Sequence, residues 1–247
     1  GELSLGHAGF MSIGAYASAI VTTLIQDQTD LPAIVLYLIA IIVGGLAAGL
    51  IGVLVGIPAL RLSGDYLCIV TVAVAEIVRV VLSNFGIPAI TGKATFGKSF
   101  AGIAKVSDYH YVYITMVICI FIMYCYIRSR YGRALIAIRE DRIAAAASGI
   151  NVTKTKVLTF TAGVSGAIYA HYITTLVPTY FNFSKSSEFL AIVILGGSGS
   201  LTGSIVAAPI LSALPQLISY VVPAFASYRM LIYAVILVVV MIFKPTG

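Results

Sequence analysis

Glu76 and Arg79 stand three residues apart in a stretch, Tyr66 to Leu82, that is otherwise mostly apolar. On a helix that spacing puts both side chains on one face, where they can form an ion pair. Charges are expensive inside an apolar helix, so the pair is either a structural brace or a polar lining of a route across a membrane. Three histidines, His7, His110 and His171, are far apart in sequence and no H-E-x-x-H occurs, which gives metal chemistry weak support. Cys68, Cys119 and Cys125 lie in apolar runs without Cys-x-x-Cys spacing and read as small core residues rather than a disulfide frame. ATP hydrolysis needs a phosphate-cradling loop of the form G-x-x-x-x-G-K-S/T. The nearest string, GIPAITGKA at Gly86 to Ala94, has one residue too many between its glycines and an alanine where a magnesium-binding hydroxyl belongs. No catalytic residue, metal site or cofactor of the chain's own is expected.

Three other groups have residue types suited to movement or docking. Gly6, His7 and Ser12 sit in a glycine- and serine-rich start, where the backbone can come close to a moving path, although a histidine such as His7 is more often a packing residue than a ligand contact. Gly196, Gly197 and Gly199 interrupt an apolar run and suggest a broken or re-entrant helix. The string YGRALIAIREDRIAAAASGI, Tyr131 to Ile150, combines good helix formers with Gly149-Ile150, a usual helix end. A short helix near Glu140 to Ser148 follows. Its small residues Ala144 and Ala145 allow close approach of another surface, and Arg139, Glu140, Asp141 and Arg142 offer orienting charges. The residues alone leave open whether this is a docking segment or a solvated connector. Asn151-Val-Thr and Asn182-Phe-Ser fit a glycosylation triplet that is common by chance.

The elements that position these groups follow from composition. The chain has 247 residues, 60% hydrophobic and 10% charged, with a mean hydropathy of +1.05. Soluble domains carry roughly a quarter charged residues, so a polytopic membrane protein is expected. The length allows about seven to nine spans of roughly 20 residues and no large soluble domain. Apolar runs are predicted at Leu3 to Ile25, Leu31 to Ile57, about Tyr66 to Leu82, about Tyr109 to Ile127 and Val157 to Val177. They are followed by the short run Glu188 to Leu195, Ser204 to Val222, and Met230 to Phe243. The fold class is therefore all-α, with about seven to eight transmembrane or re-entrant helices. Gly45-x-x-x-Gly49 and Gly52-x-x-x-Gly56 predict a face of the second helix that meets a neighbour closely. The chain begins inside an apolar run and shows no signal peptide; it is read as trimmed.

The net charge of +6 serves topology here rather than nucleic-acid binding. Arg128 to Lys156 holds seven of the fifteen basic residues against two acidic ones, a net +5 that places this loop in the cytoplasm. Lys93, Lys98 and Lys105 in the opposite loop oppose that orientation, but seven outweigh three.

Several strings carry a family resemblance: GELSLGHAGFMSIGAYASA, LRLSGDYLCIVTVAVAEIVRVVL, GRALIAIREDRIAAAASGINVTKTKVLTF, GAIYAHY, ILGGSGSLTGSIVAAPIL and IFKPTG. In this order they resemble the membrane permeases of branched-chain amino acid ABC importers, of the LivM type. The resemblance implies an ABC-importer permease fold, one transmembrane domain over 1–247, and a 128–156 cytoplasmic loop whose Arg139 to Gly149 segment is the coupling helix. It implies a multi-pass protein of a bacterial or archaeal cytoplasmic membrane. Its implied partners are a second, LivH-like permease, two cytoplasmic ATPase subunits that bind the ATP, and an extracytoplasmic substrate-binding protein. Permeases for urea or short amides are close relatives, and an ion-coupled secondary transporter is a more distant alternative. Against the family pattern, the first helix is missing, the loop after Thr91-Gly92 is short, and the link between Phe160 and Gly166 is a few residues shorter.

Overall fold

The computed structural model describes residues 6–28, 32–59, 65–84, 100, 101, 103, 109–130, 132, 133, 137, 160–197, 200–221, 235 and 238. Among these are seven α-helices: α1 His7–Gln28, α2 Ala33–Ala59, α3 Asp65–Asn84, α4 Tyr109–Arg128, α5 Phe160–Ile173, α6 Phe183–Leu195 and α7 Leu201–Val221. Two short strands, β1 Phe100–Ala101 and β2 Thr175–Leu176, pair antiparallel, and a 3₁₀ turn spans Pro178–Phe181. α1, α2 and α4 are long and apolar enough to cross a membrane. α3 has the length, 20 residues, but carries Glu76 and Arg79 near its middle. The chain forms two compact units, Gly1–Ser186 and Ser187–Gly247.

Much of the first unit's interior consists of small residues, beside Phe10, Ile13, Leu36, Tyr37, Leu176 and Phe181, while many other large apolar side chains face outward. Ala8, Ala15, Ala19, Ala167 and Ala170 are buried, together with Ser12, Ser18, Thr22 and Thr23. The Ser12, Ser18 and Thr23 hydroxyls each donate to a carbonyl three or four residues back, at 2.6–2.9 Å, so their protons are satisfied within α1 itself. Outside, Leu38, Ile42, Leu46, Leu50 and Leu54 form an exposed ridge along α2 at four-residue spacing, and no described side chain of α4 is buried. In water such surfaces would drive aggregation; against lipid tails they cost nothing, and close backbone packing replaces the hydrophobic drive between helices.

The apolar runs in the sequence locate α1 to α4 closely, with three differences in detail. α1 is a single unbroken helix whose glycines serve packing, and it runs past Asp27. The fifth helix ends at Ile173, before the predicted Val177, because the chain turns at Thr174, which takes a left-handed φ of 61°. That conformation is strained for a β-branched residue and stops the helix, freeing Thr175–Leu176 to pair with Phe100–Ala101. The sixth helix starts upstream of Glu188, at Phe183, where the Asn182 Oδ1 accepts from the Lys185 N–H at 3.1 Å as an N-terminal cap. Of the predicted last span, Met230 to Phe243, only Val235 and Val238 are described, and both are helical.

Candidate translocation site and its helix seam

α1, α2 and α5 meet along a seam of bare backbone. A Cβ placed at Gly44 would lie 2.8 Å from the Ala167 Cβ and 2.9 Å from the Gly14 carbonyl oxygen; one at Gly14 would overlap the Gly163 carbonyl, and one at Gly163 the Gly44 carbonyl. Each contact leaves no room for any side chain. The face of α2 that makes this approach carries Gly44 and Ala48, one position before the predicted Gly45 and Gly49.

At the far end of α1, a buried polar pair ties it to α5. His171 is fully buried; its Nδ1 lies 2.9 Å from the Ala167 carbonyl oxygen and its Nε2 3.1 Å from the Thr22 Oγ1. A carbonyl only accepts, so Nδ1 carries the proton, and in the neutral ring Nε2 accepts from the Thr22 hydroxyl. Thr22→Val keeps the shape and removes that donor. It is expected to destabilise the detergent-solubilised protein by about 0.6–2 kcal/mol, the range for interhelical hydrogen bonds in membranes. Thermal unfolding beside Ser165→Ala, an exposed control, reads this; equal melting of both variants would contradict the pair's role.

The N-terminal end of α1 packs on α3. A Cβ at Gly6 would lie 3.0 Å from the Thr71 carbonyl oxygen, and one at Gly9 2.6 Å from the Ala75 Cα. Gly6 is buried at the helix entry, His7 is exposed, and the buried Ser12 hydroxyl donates to the Gly9 carbonyl at 2.6 Å. Glu76 follows Ala75 directly and therefore sits beside this contact, turned about 100° around the helix. Arg79 donates from Nε to the Glu76 Oε1 at 2.9 Å and from Nη2 to the same oxygen, so the predicted pair forms within α3. It is partly exposed, with the Arg79 side chain 26% and that of Glu76 46% accessible. The Ser83 hydroxyl, one turn on, donates to the Arg79 carbonyl at 2.8 Å.

In the second unit, α6 ends at Leu195 and the chain reverses its backbone handedness at Gly197, φ 94°. Only glycine takes that conformation without strain. Ser200 caps α7: its Oγ accepts from the Gly203 N–H at 3.1 Å, and its carbonyl accepts from the Ser204 N–H at 3.2 Å. Gly196 and Gly203 touch through their backbones, with a Cβ at Gly196 only 2.6 Å from the Ser204 Cα. The helix break predicted at 196–203 is therefore a capped turn between α6 and α7.

Of the residues singled out in the sequence, Gly6, Ser12, Glu76 and Arg79 fall on the α1–α3 pair, as does His7. Gly196 and Gly197 form the turn of the second unit. Gly199, Arg139, Glu140, Asp141, Arg142, Ala144, Ala145 and Gly149 lie outside the described residues. Sequence reading missed the Thr22–His171 pair and the Gly14–Gly44–Gly163 seam. Their signal was present in the small residues of α1 and in Gly163, Gly166 and His171, but which faces oppose one another is a tertiary fact.

Apolar exteriors, hydroxyls folded back onto backbone, glycine-tight helix crossings and an ion pair inside one long helix define a polytopic helical membrane protein of the permease kind. Residues 1–241 match the family described as "Branched-chain amino acid transport system / permease component", and the chain belongs to that family. It is 32% identical, over 283 aligned positions, to the high-affinity branched-chain amino acid transport system permease protein LivM of Escherichia coli (strain K12), covering 100% of this chain and 63% of that protein. It is 24% identical over 264 positions to a probable branched-chain amino acid transport permease protein LivM of Methanocaldococcus jannaschii, covering 96% of this chain and 75% of the relative. A shorter likeness, 30% over 137 positions, joins 53% of the chain to 42% of LivH of Salmonella typhimurium. The chain thus spans about two thirds of the length of its Escherichia coli relative, 63%. No solved structure matches it. The family's own description is that of a permease component of a transport system, and the chain's long apolar helices fit a membrane protein.

Proposed function

We propose that this chain is the LivM-like subunit of an ATP-driven importer and forms part of the route by which branched-chain or related hydrophobic amino acids cross a bacterial or archaeal cytoplasmic membrane. The observation that carries the reading is the family match over residues 1–241, supported by relatives whose own names specify branched-chain amino acid transport. The sequence contains no phosphate-cradling loop of its own, so the energy comes from elsewhere. Its partners in this reading are a LivH-like permease, two cytoplasmic ATPase subunits that bind the ATP, and an extracytoplasmic binding protein. The whole of 1–247 acts as one permease domain. Its 128–156 loop lies in the cytoplasm, and Arg139, Glu140, Asp141, Arg142, Ala144, Ala145 and Gly149 form the segment that an ATPase grips. Gly6, His7, Ser12, Glu76 and Arg79 border the route, and the turn of Gly196, Gly197 and Gly199 acts in gating.

ATPase subunits bias this permease between conformations by binding one state more tightly than the other. The test is co-purification of the membrane complex from native membranes. The expected result is a nucleotide-binding subunit in the complex and ATP hydrolysis that rises when loaded binding protein is added. Transport driven by an ion gradient in a complex without an ATPase would replace this reading with a secondary transporter.

A further inference from the structure

The exposed faces of α2 and α4 carry no acidic or basic residue between Ile34 and Val55 or between Tyr111 and Ile127, as suits lipid contact. α3 is exposed to a similar degree yet holds an ion pair near its middle, a position where lipid would leave two charges unsolvated. One side of α3 is occupied, by Gly6 and Gly9 against Thr71 and Ala75. Arg79 continues that side one turn beyond Ala75, while Glu76 is turned about 100° off it. Both Arg79 donors converge on one oxygen, Glu76 Oε1, so among the described residues the Oε2 of Glu76 and the Nη1 of Arg79 make no hydrogen bond.

Next to the pair runs an apolar strip. Ala73, Ile77 and Val80 stand three residues before, one after and four after Glu76, all exposed, with Ile77 at 60% and Val80 at 43%. One side of α3 therefore offers a carboxylate oxygen, a guanidinium N–H and a strip of aliphatic carbon within two helical turns.

We infer that Glu76 and Arg79 form a transient binding site for the zwitterionic head of an α-amino acid in transit. The ammonium is taken by Glu76 Oε2, the carboxylate by Arg79 Nη1, and the apolar side chain lies along Ala73, Ile77 and Val80. The inference rests on the importer reading above and names the ligand group that this part of the route recognises. Charge complementarity favours such a ligand over a lipid tail, which offers nothing to either charge. A neutral pair receiving a neutral zwitterion also moves no net charge through the membrane. The pair's internal bonds satisfy the two groups when the site is empty, so an unloaded route does not strand a buried charge.

A diazirine-bearing leucine analogue tests this directly. The complete importer, reconstituted in proteoliposomes and supplied with ATP, is irradiated during uptake of the analogue, and the modified peptides are mapped. The expected label falls on α3 within a turn of Glu76 and is displaced by excess leucine. Glu76→Gln combined with Arg79→Gln removes both charges; it should cut the α3 label and ATP-driven leucine uptake about tenfold or more, the scale for losing a charged hydrogen bond. Intact subunit co-purification checks that the variant assembles. Uptake of the analogue with label confined to other helices overturns the inference and leaves the importer reading standing. Label on a partner chain alone, with α3 unmodified, also overturns it and assigns this face to a neighbouring helix. Absence of ATP-driven uptake in the unaltered complex removes the importer reading, and the inference with it.

Discussion

Gly166→Ala is expected to abolish assembly of the α1–α5 pair, although on an ordinary exposed helix the same change stabilises by about 0.5–1 kcal/mol. The sign reverses because of what the new methyl group would meet. A Cβ at Gly166 overlaps the Met11 carbonyl oxygen and lies 2.9 Å from the Ala15 amide nitrogen, both backbone atoms that no rotamer change can move aside. The helices must separate instead. Separation also loosens the Gly14–Gly163 and Gly163–Gly44 contacts, since α5 touches both neighbours along one seam. Overpacking of this kind typically costs about 1–3 kcal/mol, occasionally more, and exceeds the propensity gain. Yield of monodisperse protein in mild detergent measures the effect, beside Ser165→Ala at the adjacent exposed position. Equal yields would mean that the seam yields freely and that α1 and α5 are held by other contacts.

The second large effect concerns coupling. If Arg139 to Gly149 docks in an ATPase cleft, as proposed above, Ala145→Trp should eliminate ATP-driven uptake, because a small-residue surface held that closely cannot accept an indole, and the misfit costs about 1–3 kcal/mol or more. Glu140→Lys should weaken docking less, and in a salt-dependent manner, since it reverses a charge at the rim. Co-purification of the ATPase, ATP hydrolysis and leucine uptake are measured together for both variants. Unaltered values of all three for Ala145→Trp would make Arg139 to Gly149 a solvated connector.

Much of the architecture was legible in the sequence because spans have a minimum length. α2 and α4 are runs of about 20 apolar residues bounded by polar ones, and the bilayer's thickness demands that length. The Glu76–Arg79 pair was legible for a similar reason: three-residue spacing on any helix joins the two side chains. Rotation about the helix axis was harder to see. Gly45 and Gly49 obey a packing spacing, yet Gly44 and Ala48 face α5, about 100° away, because small residues crowd this part of α2 and spacing alone does not select among them. The end of α5 was equally hidden, since it depends on Thr174 accepting a strained φ while β2 pairs with a strand more than seventy positions earlier in the chain. Asn182, in contrast, carried a readable cap signal for α6 that the apolar pattern alone obscured.

The central claim, an ATP-driven route for hydrophobic amino acids, is tested most directly by uptake into proteoliposomes holding the complete complex and its loaded binding protein. Labelled leucine, alanine and urea are supplied separately, with and without ATP in the compartment that holds the ATPase subunits. The account predicts leucine accumulation that requires ATP, weaker accumulation of alanine, and none of urea. Accumulation of urea with no uptake of leucine, or leucine uptake that persists without ATP under an ion gradient, would contradict it.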